Sequence, residues 1–376
     1  MTAAGIIFSN LHDRDLTELT RVRTMASIPF ACRYRLVDFP LSNMVNAGIS
    51  DILVITHYNY LSLMNHIGSG KDWDLARRSG GVTILPPYIT AYASRANSLY
   101  STRLEALKGV RHSIGELSED YVVLSDCGTV ANLDLAQMLR AHAASGADIT
   151  MAVKRVCLTP DTARQTQIVV SDGEGRVTDI VVSAEELDGY HDVSMHVWIM
   201  GKNLLCALLT DAVSHNFDSF TRDILQRNVR HMDIRAYAVE TPVALIRSFA
   251  EYYRTEMRLL RDADFRAALF SAADRPVYTK VHNSPPTVYT TGSAKNCLIA
   301  DGCTILGSVE GSILFRGARV EEGACVRDSV LFENAVVGRG ASLQCVVADK
   351  NTAVREGREL SGCEVRPYYI EKGMMI

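Results

Sequence analysis

From residue 299 the chain keeps a six-residue beat: Ile299 and Ile305, then Leu314, Val320 and Val326, then Leu331, Val337 and Leu343 recur six apart, with Gly317 and Gly323 in step. A hexapeptide period is the sequence form of a triangular parallel β-helix, in which aliphatic residues at one corner of each coil stack inward on those of the next. An irregular all-β domain whose alternation imitates the beat is the competing reading. The rungs are few and interrupted, so the predicted helix is short.

Between about Ala272 and Thr291 the chain turns rich in Pro and Thr, with Pro276, Pro285 and Pro286, and periodicity fades. This predicts a linker over 272–291, joining a first domain at 1–271 to the β-helix at 292–376. Two domains also suit a chain of 376 residues, which is long for a single core. In the first domain short β-rich runs alternate with helical patterns, as in a mostly parallel α/β sheet. Strands are predicted at Gly5–Phe8, Ile52–Thr56, Val82–Leu85, Tyr121–Leu124 and Ile149–Val153, helices at Asp134–Ser145 and Ser248–Leu260, and a hairpin turn at Asp172–Arg176.

Composition narrows the class. Apolar residues at 47%, charged residues at 22% and a net charge of −4 describe an ordinary globular protein, and no basic surface argues for nucleic acid or an acidic membrane. The start lacks a basic segment before its short apolar run, and no later run approaches a membrane span, so a cytoplasmic protein is expected. Nine cysteines without a Cys-x-x-Cys pair predict reduced thiols rather than a disulfide framework or zinc site.

The turn after the first strand, Ser9–Leu16, contains no glycine. In nucleotide-binding α/β domains this turn usually lets bare backbone N–H groups close around phosphates, which needs Gly for close approach and for positive φ. Asp13 and Asp15 stand there instead and would face a polyphosphate as like charges. The alternative is an ordinary helix N-terminus with capping acids.

The run from Arg23 through Ile49, with Tyr34-Arg35-Leu36-Val37-Asp38-Phe39-Pro40-Leu41-Ser42-Asn43 within it, resembles nearly position for position the N-terminal signature of ADP-glucose pyrophosphorylases (glucose-1-phosphate adenylyltransferases). These join ATP and glucose 1-phosphate into ADP-glucose and pyrophosphate. The resemblance implies a Rossmann-like nucleotidyltransferase domain followed by a short left-handed parallel β-helix, and it covers nearly the whole chain. Carried back without gaps, the family's Gly-Gly pair falls on Asn10 and Leu11, its next Gly on Asp13, its catalytic Arg on Asp15 and the Lys of its Arg-Ala-Lys-Pro motif on Met25. An Asp in place of a phosphate-gripping Arg inverts the electrostatic stabilisation on which phosphoryl chemistry depends.

Other family positions are altered as well. Ser94-Arg95 and Asn97 stand where the nucleotide segment has Gly-Thr and Asp, and Val181–Glu185 carries no Lys where the sugar-phosphate segment needs one. The first metal Asp should follow Leu124-Ser125, but Asp126 sits one residue early, and a one-residue slip in a strand turns a side chain to the opposite face. Only Asp223 matches the second metal position, and one carboxylate cannot organise Mg²⁺ around a triphosphate; a helix-capping or surface role is favoured for it. Ala244–Ser248 lacks the Asp and Gly of the corresponding family loop. No catalytic or metal residue and no cofactor are therefore expected of this chain. Such losses beside an intact scaffold resemble the non-catalytic regulatory (GlgD-type) subunit, as do Arg275–Val281, Ser312–Gly317 and Ala348–Asn351. The implied partner is a catalytic subunit holding Mg²⁺, in a heterotetramer, with a homotetramer as the alternative. An active sugar-phosphate nucleotidyltransferase of altered specificity, using Asp126 and Asp223 for metal, is the other reading; a hexapeptide acyltransferase lacks a His base, because no His follows His282.

The resemblance places effector positions on Arg23, Arg35, His57 and Lys350, which suit a phosphorylated metabolite or phosphate: guanidinium groups grip phosphate oxygens bidentately and a Lys adds a point charge from the other domain. Asp51, where the family often has a Lys, weakens such a site. The alternative makes Arg23 and Arg35 structural, paired with Asp38 or helix carboxyl ends.

Overall fold

The computed structural model describes residues 2–376 except 79, 88–99, 164–165, 183 and 185–186. Nine strands form one sheet in the first domain: β1 Ala3–Phe8, β2 Asp51–Ile55, β3 Gly81–Leu85, β4 Tyr121–Asp126, β5 Ile149–Leu158, β6 Gln167–Ser171, β7 Val177–Val182, β8 Gly189–Gly201 and β9 Ile234–Ala238. Their order is β7-β6-β8-β4-β1-β2-β3, with β5 on β8 and β9 on β5. The half that carries the first turn is parallel throughout, β4-β1-β2-β3. Buried parallel strands need apolar side chains on both faces, and β1 supplies them: Ile6 and Ile7 are both fully buried, one in each of the two cores that the sheet separates. Strands β5 to β8 pair antiparallel, and the predicted hairpin at Asp172–Arg176 joins β6 to β7.

Both predicted helices form, each opened by a capping side chain. Asp134 accepts the Gln137 N–H at 2.8 Å ahead of helix Leu135–Ser145, and Ser248 accepts the Glu251 N–H at 3.2 Å ahead of Phe249–Arg261. Register places Phe8 beside Asp126, so the Ser9–Leu16 turn and the end of β4 share the crevice beyond the carboxyl ends of the strands, where open α/β sheets bind ligands.

The hexapeptide beat is a left-handed β-helix. Three five-stranded parallel sheets form its sides, the first made of Val288–Tyr289, Thr304–Ile305, Arg319–Val320, Val336–Val337 and Ala353–Val354. Ile305, Leu314, Val320, Val326, Leu331, Val337 and Leu343 are buried in its core, and Ile299 packs against it. The irregular all-β alternative is thereby excluded. The stretch 272–291 is not a free linker. Asn46 Nδ2 donates to the Pro276 carbonyl at 3.0 Å and the Tyr278 N–H donates to Ser42 Oγ at 2.9 Å, while Val288–Tyr289 already belong to the first coil.

One core crosses the domain seam. Phe30, Phe39, Tyr252 and Leu259 of the first domain share it with Ile313, Phe315, Val330, Phe332 and Val347 of the β-helix. The Phe332 ring meets Phe315 and Tyr252 edge-on at 5.1 and 6.3 Å between centroids, and the Tyr253 hydroxyl donates to the Asp328 carbonyl at 2.5 Å. No described helix is long and apolar enough to cross a membrane.

Because Phe332 is fully buried at this seam, Phe332→Ala is expected to cost about 3–5 kcal/mol of unfolding free energy. Urea denaturation checks this. A loss under about 1 kcal/mol would show that the seam contributes little to stability.

Candidate functional site

The glycine-free turn is bound by its own side chains. Asn10 accepts from Ser9 Oγ (2.7 Å), Thr56 Oγ1 (3.0 Å) and the His57 N–H (2.9 Å), and its amide donates to Asp13 Oδ2 at 2.5 Å. Asp13 Oδ1 accepts the Met25 N–H at 2.7 Å. Burial pushes the Asp13 carboxyl up to about 7, against these two hydrogen bonds, which favour its ionised form. Asp13 is therefore a buried brace between two loops. The capping alternative fails, because neither the short turn Asp13–Asp15 nor helix Thr17–Thr20 has a side-chain cap. Leu11 packs against the core on its side of the sheet.

The crevice beside this turn carries its own cations. Asp126, 1% exposed, receives Arg103 Nε at 3.0 Å on Oδ1 and Arg103 Nη2 on Oδ2, a two-pronged contact, and His12 Nε2 lies 3.3 Å from Oδ2. Burial alone would raise the Asp126 pKa; the Arg103 charge and the His12 hydrogen bond overcome it and hold the carboxyl well below the usual range. His12 moves the other way: burial disfavours its charge, but hydrogen bonds to Asp126 and Asp15, the latter at 3.2 Å, raise it overall. The Arg103 guanidinium also lies 5.3 Å from the Trp198 ring centroid. Met25, placed by the resemblance at a lysine position, contributes a methyl group: a Cβ on Gly128 would meet Met25 Cε at 3.1 Å, the Ile246 carbonyl at 3.2 Å and the His12 ring at 3.8 Å.

These residues do not fit Mg²⁺. Both Asp126 oxygens face Arg103, and Asp223, in the first turn of the helix Phe220–Gln226 that Ser219 caps, accepts the N–H groups of Asp218 and Ser219 on Oδ2 at 2.9 and 2.8 Å. Among the described residues no group of three or more His, Cys, Asp or Glu side chains is arranged to hold a metal. Arg247, in the altered Ala244–Ser248 loop, pairs with Glu251 at 2.7 Å. The Ser94, Arg95 and Asn97 segment, Ser183 and Glu185 lie outside the described residues.

A second cluster sits at the seam. Asp349, fully buried, accepts from Arg23 Nη2, the Lys350 N–H and the Tyr369 hydroxyl, each at 2.6 Å. Lys350 Nζ donates to Glu333 Oε1 at 2.7 Å, while Arg35 Nη1 donates to the carbonyl and hydroxyl of Ser62, both at 2.8 Å. Burial pushes the Lys350 ammonium down to about 8, with Glu333 opposing and the positive charges of Arg35 and Arg23 adding to the fall. Two buried atoms here lack partners, Arg23 Nη1 and Glu333 Oε2. Arg23, Arg35 and Lys350 are thus brought together, and His57 is not: its ring lies between Tyr58 and Tyr100, with Nε2 3.0 Å from the Tyr100 carbonyl, on the side of the glycine-free turn. Asp38 takes neither guanidinium. It accepts the Arg35 backbone N–H at 3.0 Å and lies 2.6 Å from His66 Nε2. Asp51 begins β2, at the opposite end of that strand from His57. Arg103, His12, Glu333, Asp349 and Tyr369 are not among the site positions expected from sequence, although His12 and Asp349 lie in the stretches Ser9–Leu16 and Ala348–Asn351 and Glu333 lies one coil of 17 residues before Lys350.

Removing one partner of the crevice pair exposes its energetics. Arg103→Met leaves Asp126 buried with only His12 beside it and is expected to cost about 3–5 kcal/mol, whereas Arg103→Met with Asp126→Leu should be near neutral. Since the folded-state pKa of Asp126 is depressed, its stabilisation is present above the unfolded value near 4 and disappears as pH falls through the lower folded value. The double variant should lose that acid-side dependence, which denaturation at several pH values measures. Equal stability of single and double variants would leave the pair without energetic weight.

A model of the nucleotidyl transferase family matches residues 13–238, and a model of the GlmU-like C-terminal hexapeptide family matches residues 281–364. The glycogen biosynthesis protein GlgD of Geobacillus stearothermophilus is 32% identical over 324 residues, covering 86% of this chain and 82% of that protein. GlgD of Bacillus subtilis strain 168 is 30% identical over 323 residues, with 85% and 81% covered. The glucose-1-phosphate adenylyltransferase of Halalkalibacterium halodurans is 29% identical over 326 residues, with 86% and 83% covered. A first-domain sheet with a crevice at its switch point, followed by a hexapeptide β-helix, is the architecture these matches span, and the chain belongs to the nucleotidyl transferase family that includes the GlgD proteins and the glucose-1-phosphate adenylyltransferases.

Proposed function

We infer that this chain is a catalytically degenerate, regulatory subunit of a glucose-1-phosphate adenylyltransferase complex in glycogen biosynthesis, acting on a catalytic paralogue that holds the Mg²⁺. One observation carries the reading: Asp126, the carboxylate nearest the family's first metal position, is occupied on both oxygens by Arg103 and touched by His12. A cation of the protein stands against the carboxylate nearest that metal position, and acids, Asp15 and Asp13, stand at the family's arginine and at one of its glycine positions. Loss of a single electrostatic stabiliser costs about 10²–10³ in rate, and several are missing. A chain without catalysis that keeps its scaffold and β-helix acts by contact, in a heterotetramer.

The purified chain given ATP, glucose 1-phosphate and Mg²⁺ is therefore expected to make no ADP-glucose. Co-expressed with a catalytic paralogue, it should co-purify and change that enzyme's activity or its response to metabolites. Turnover of the isolated chain at the level of the paralogue would overturn the first expectation. Separate elution with unchanged paralogue kinetics would overturn the second. Transfer to a different sugar phosphate would instead support an active transferase of altered specificity.

A phosphorylated metabolite or phosphate is the effector proposed for Arg35 and Lys350, with Arg23 behind them. Arg35→Ala should weaken the effector response of the mixed complex by more than about tenfold, since charge-assisted hydrogen bonds contribute roughly 1.5–3 kcal/mol each, and should leave assembly intact. Arg23→Ala serves as the contrast, because it strips buried Asp349 of its guanidinium and should destabilise the fold. Identical activation curves for wild type and Arg35→Ala would remove Arg35 from the site.

A further inference from the structure

Glu333 is not among the positions that the resemblance singles out, yet it lies among the cations of the seam. It sits one coil before Lys350, at the same corner of the β-helix, and the Asn351 N–H donates to its carbonyl at 3.0 Å, so the two side chains stack along the solenoid axis. That corner carries alternating charge: Arg316 pairs with Asp301 at 3.2 Å across one coil step, and Lys350 pairs with Glu333 at 2.7 Å across another. The Glu333 side chain is three-quarters buried. Only Oε1 is satisfied; Oε2 is buried with no hydrogen-bond partner. Arg23 Nη1, 2% exposed as a side chain, is a buried donor without an acceptor in the same cluster. The cluster thus contains an anion that leaves an acceptor unused and a cation that leaves a donor unused, and such groups are costly to bury.

The geometry points to Glu333 as a tethered competing anion, which holds the Lys350 ammonium in the place an incoming phosphate would take and so sets the effector threshold of the seam site. This rests on the reading of Arg35 and Lys350 as a phosphate site. A phosphate has more acceptor oxygens than a carboxylate and would meet the Lys350 ammonium, the free Arg35 donors and the unpartnered Arg23 donor together, which Glu333 does not. Binding is an exchange of one anion for another at Lys350, and its apparent affinity is lowered by however strongly Glu333 holds on. Charge on Glu333 is favoured by Lys350 and by Arg35, so the same two cations hold the resident anion and would hold its replacement.

The test is titration of inorganic phosphate into the full chain at constant ionic strength by calorimetry, for wild type, Glu333→Gln, Glu333→Ala and Glu333→Gln with Arg35→Ala. Glu333→Gln keeps the shape and removes the charge, and circular dichroism confirms folding. Both Glu333 variants are expected to bind phosphate about tenfold or more tightly than wild type, and the added Arg35→Ala should abolish that gain. Equal affinity in wild type and both variants would overturn the competing-anion role while leaving the phosphate site standing. Weaker binding by the variants would overturn it in favour of Glu333 positioning Lys350. Absence of phosphate binding by every variant would overturn the site itself, and the role of Glu333 with it.

Discussion

Asp349 is fully buried, and an ionised carboxylate there has to be met by donors from whatever surrounds it. One donor, Arg23, comes from the first domain, and two, Tyr369 and the Lys350 amide, come from the β-helix. Neither domain alone completes that set. The apolar seam of Tyr252, Phe315 and Phe332 is non-directional and would tolerate sliding, whereas the two oxygens of Asp349 accept only one arrangement. The position of Lys350 against Arg35, and with it any ligand site at the seam, follows from this carboxylate.

The crevice of the first domain obeys the same electrostatic rule with a different outcome. A buried Asp at the end of β4 demands positive charge. In a metal-dependent transferase that demand is met by a bound ion; here it is met by Arg103, with His12 and Asp15 extending the chain of contacts toward solvent. A side chain fixed by its own backbone does not dissociate as an ion does, so the charge of Asp126 is met from within the chain.

Periodicity made the β-helix legible, because each inward corner answers to one local requirement, an aliphatic side chain over the one below. Helix ends were legible at Asp134 and Ser248 because capping is local too. The boundary was not: Pro276 and Tyr278 look like linker residues, and only the polar contacts from Asn46 and Ser42 show that they run along the first domain. In the crevice the absence of glycine was visible at once, but what replaced it was not. Asp13 looked like a repelling or capping acid, and its partners are the distant Met25 amide and the Asn10 side chain. Arg103 stands in a helix with an unremarkable pattern, and nothing near it in sequence announces Asp126. The resemblance groups His57 with the arginines, whereas its own contacts, the Asn10 side chain and the Tyr100 carbonyl, lie beside the first turn. Local rules were readable; pairings between remote segments became visible only with the fold.

The Arg23–Asp349 pair joins positions 326 residues apart. During synthesis the first domain is finished long before Asp349 leaves the ribosome, and domains generally fold in that order. Until then Arg23 stays hydrated, and the apolar face formed by Tyr252 and Phe30 waits uncovered. The coils bury their corners only against neighbours, so covering that face depends on several of them being complete. A nascent chain of this kind therefore passes through a stage in which a folded first domain, with an uncovered apolar face, awaits the coils that cover it.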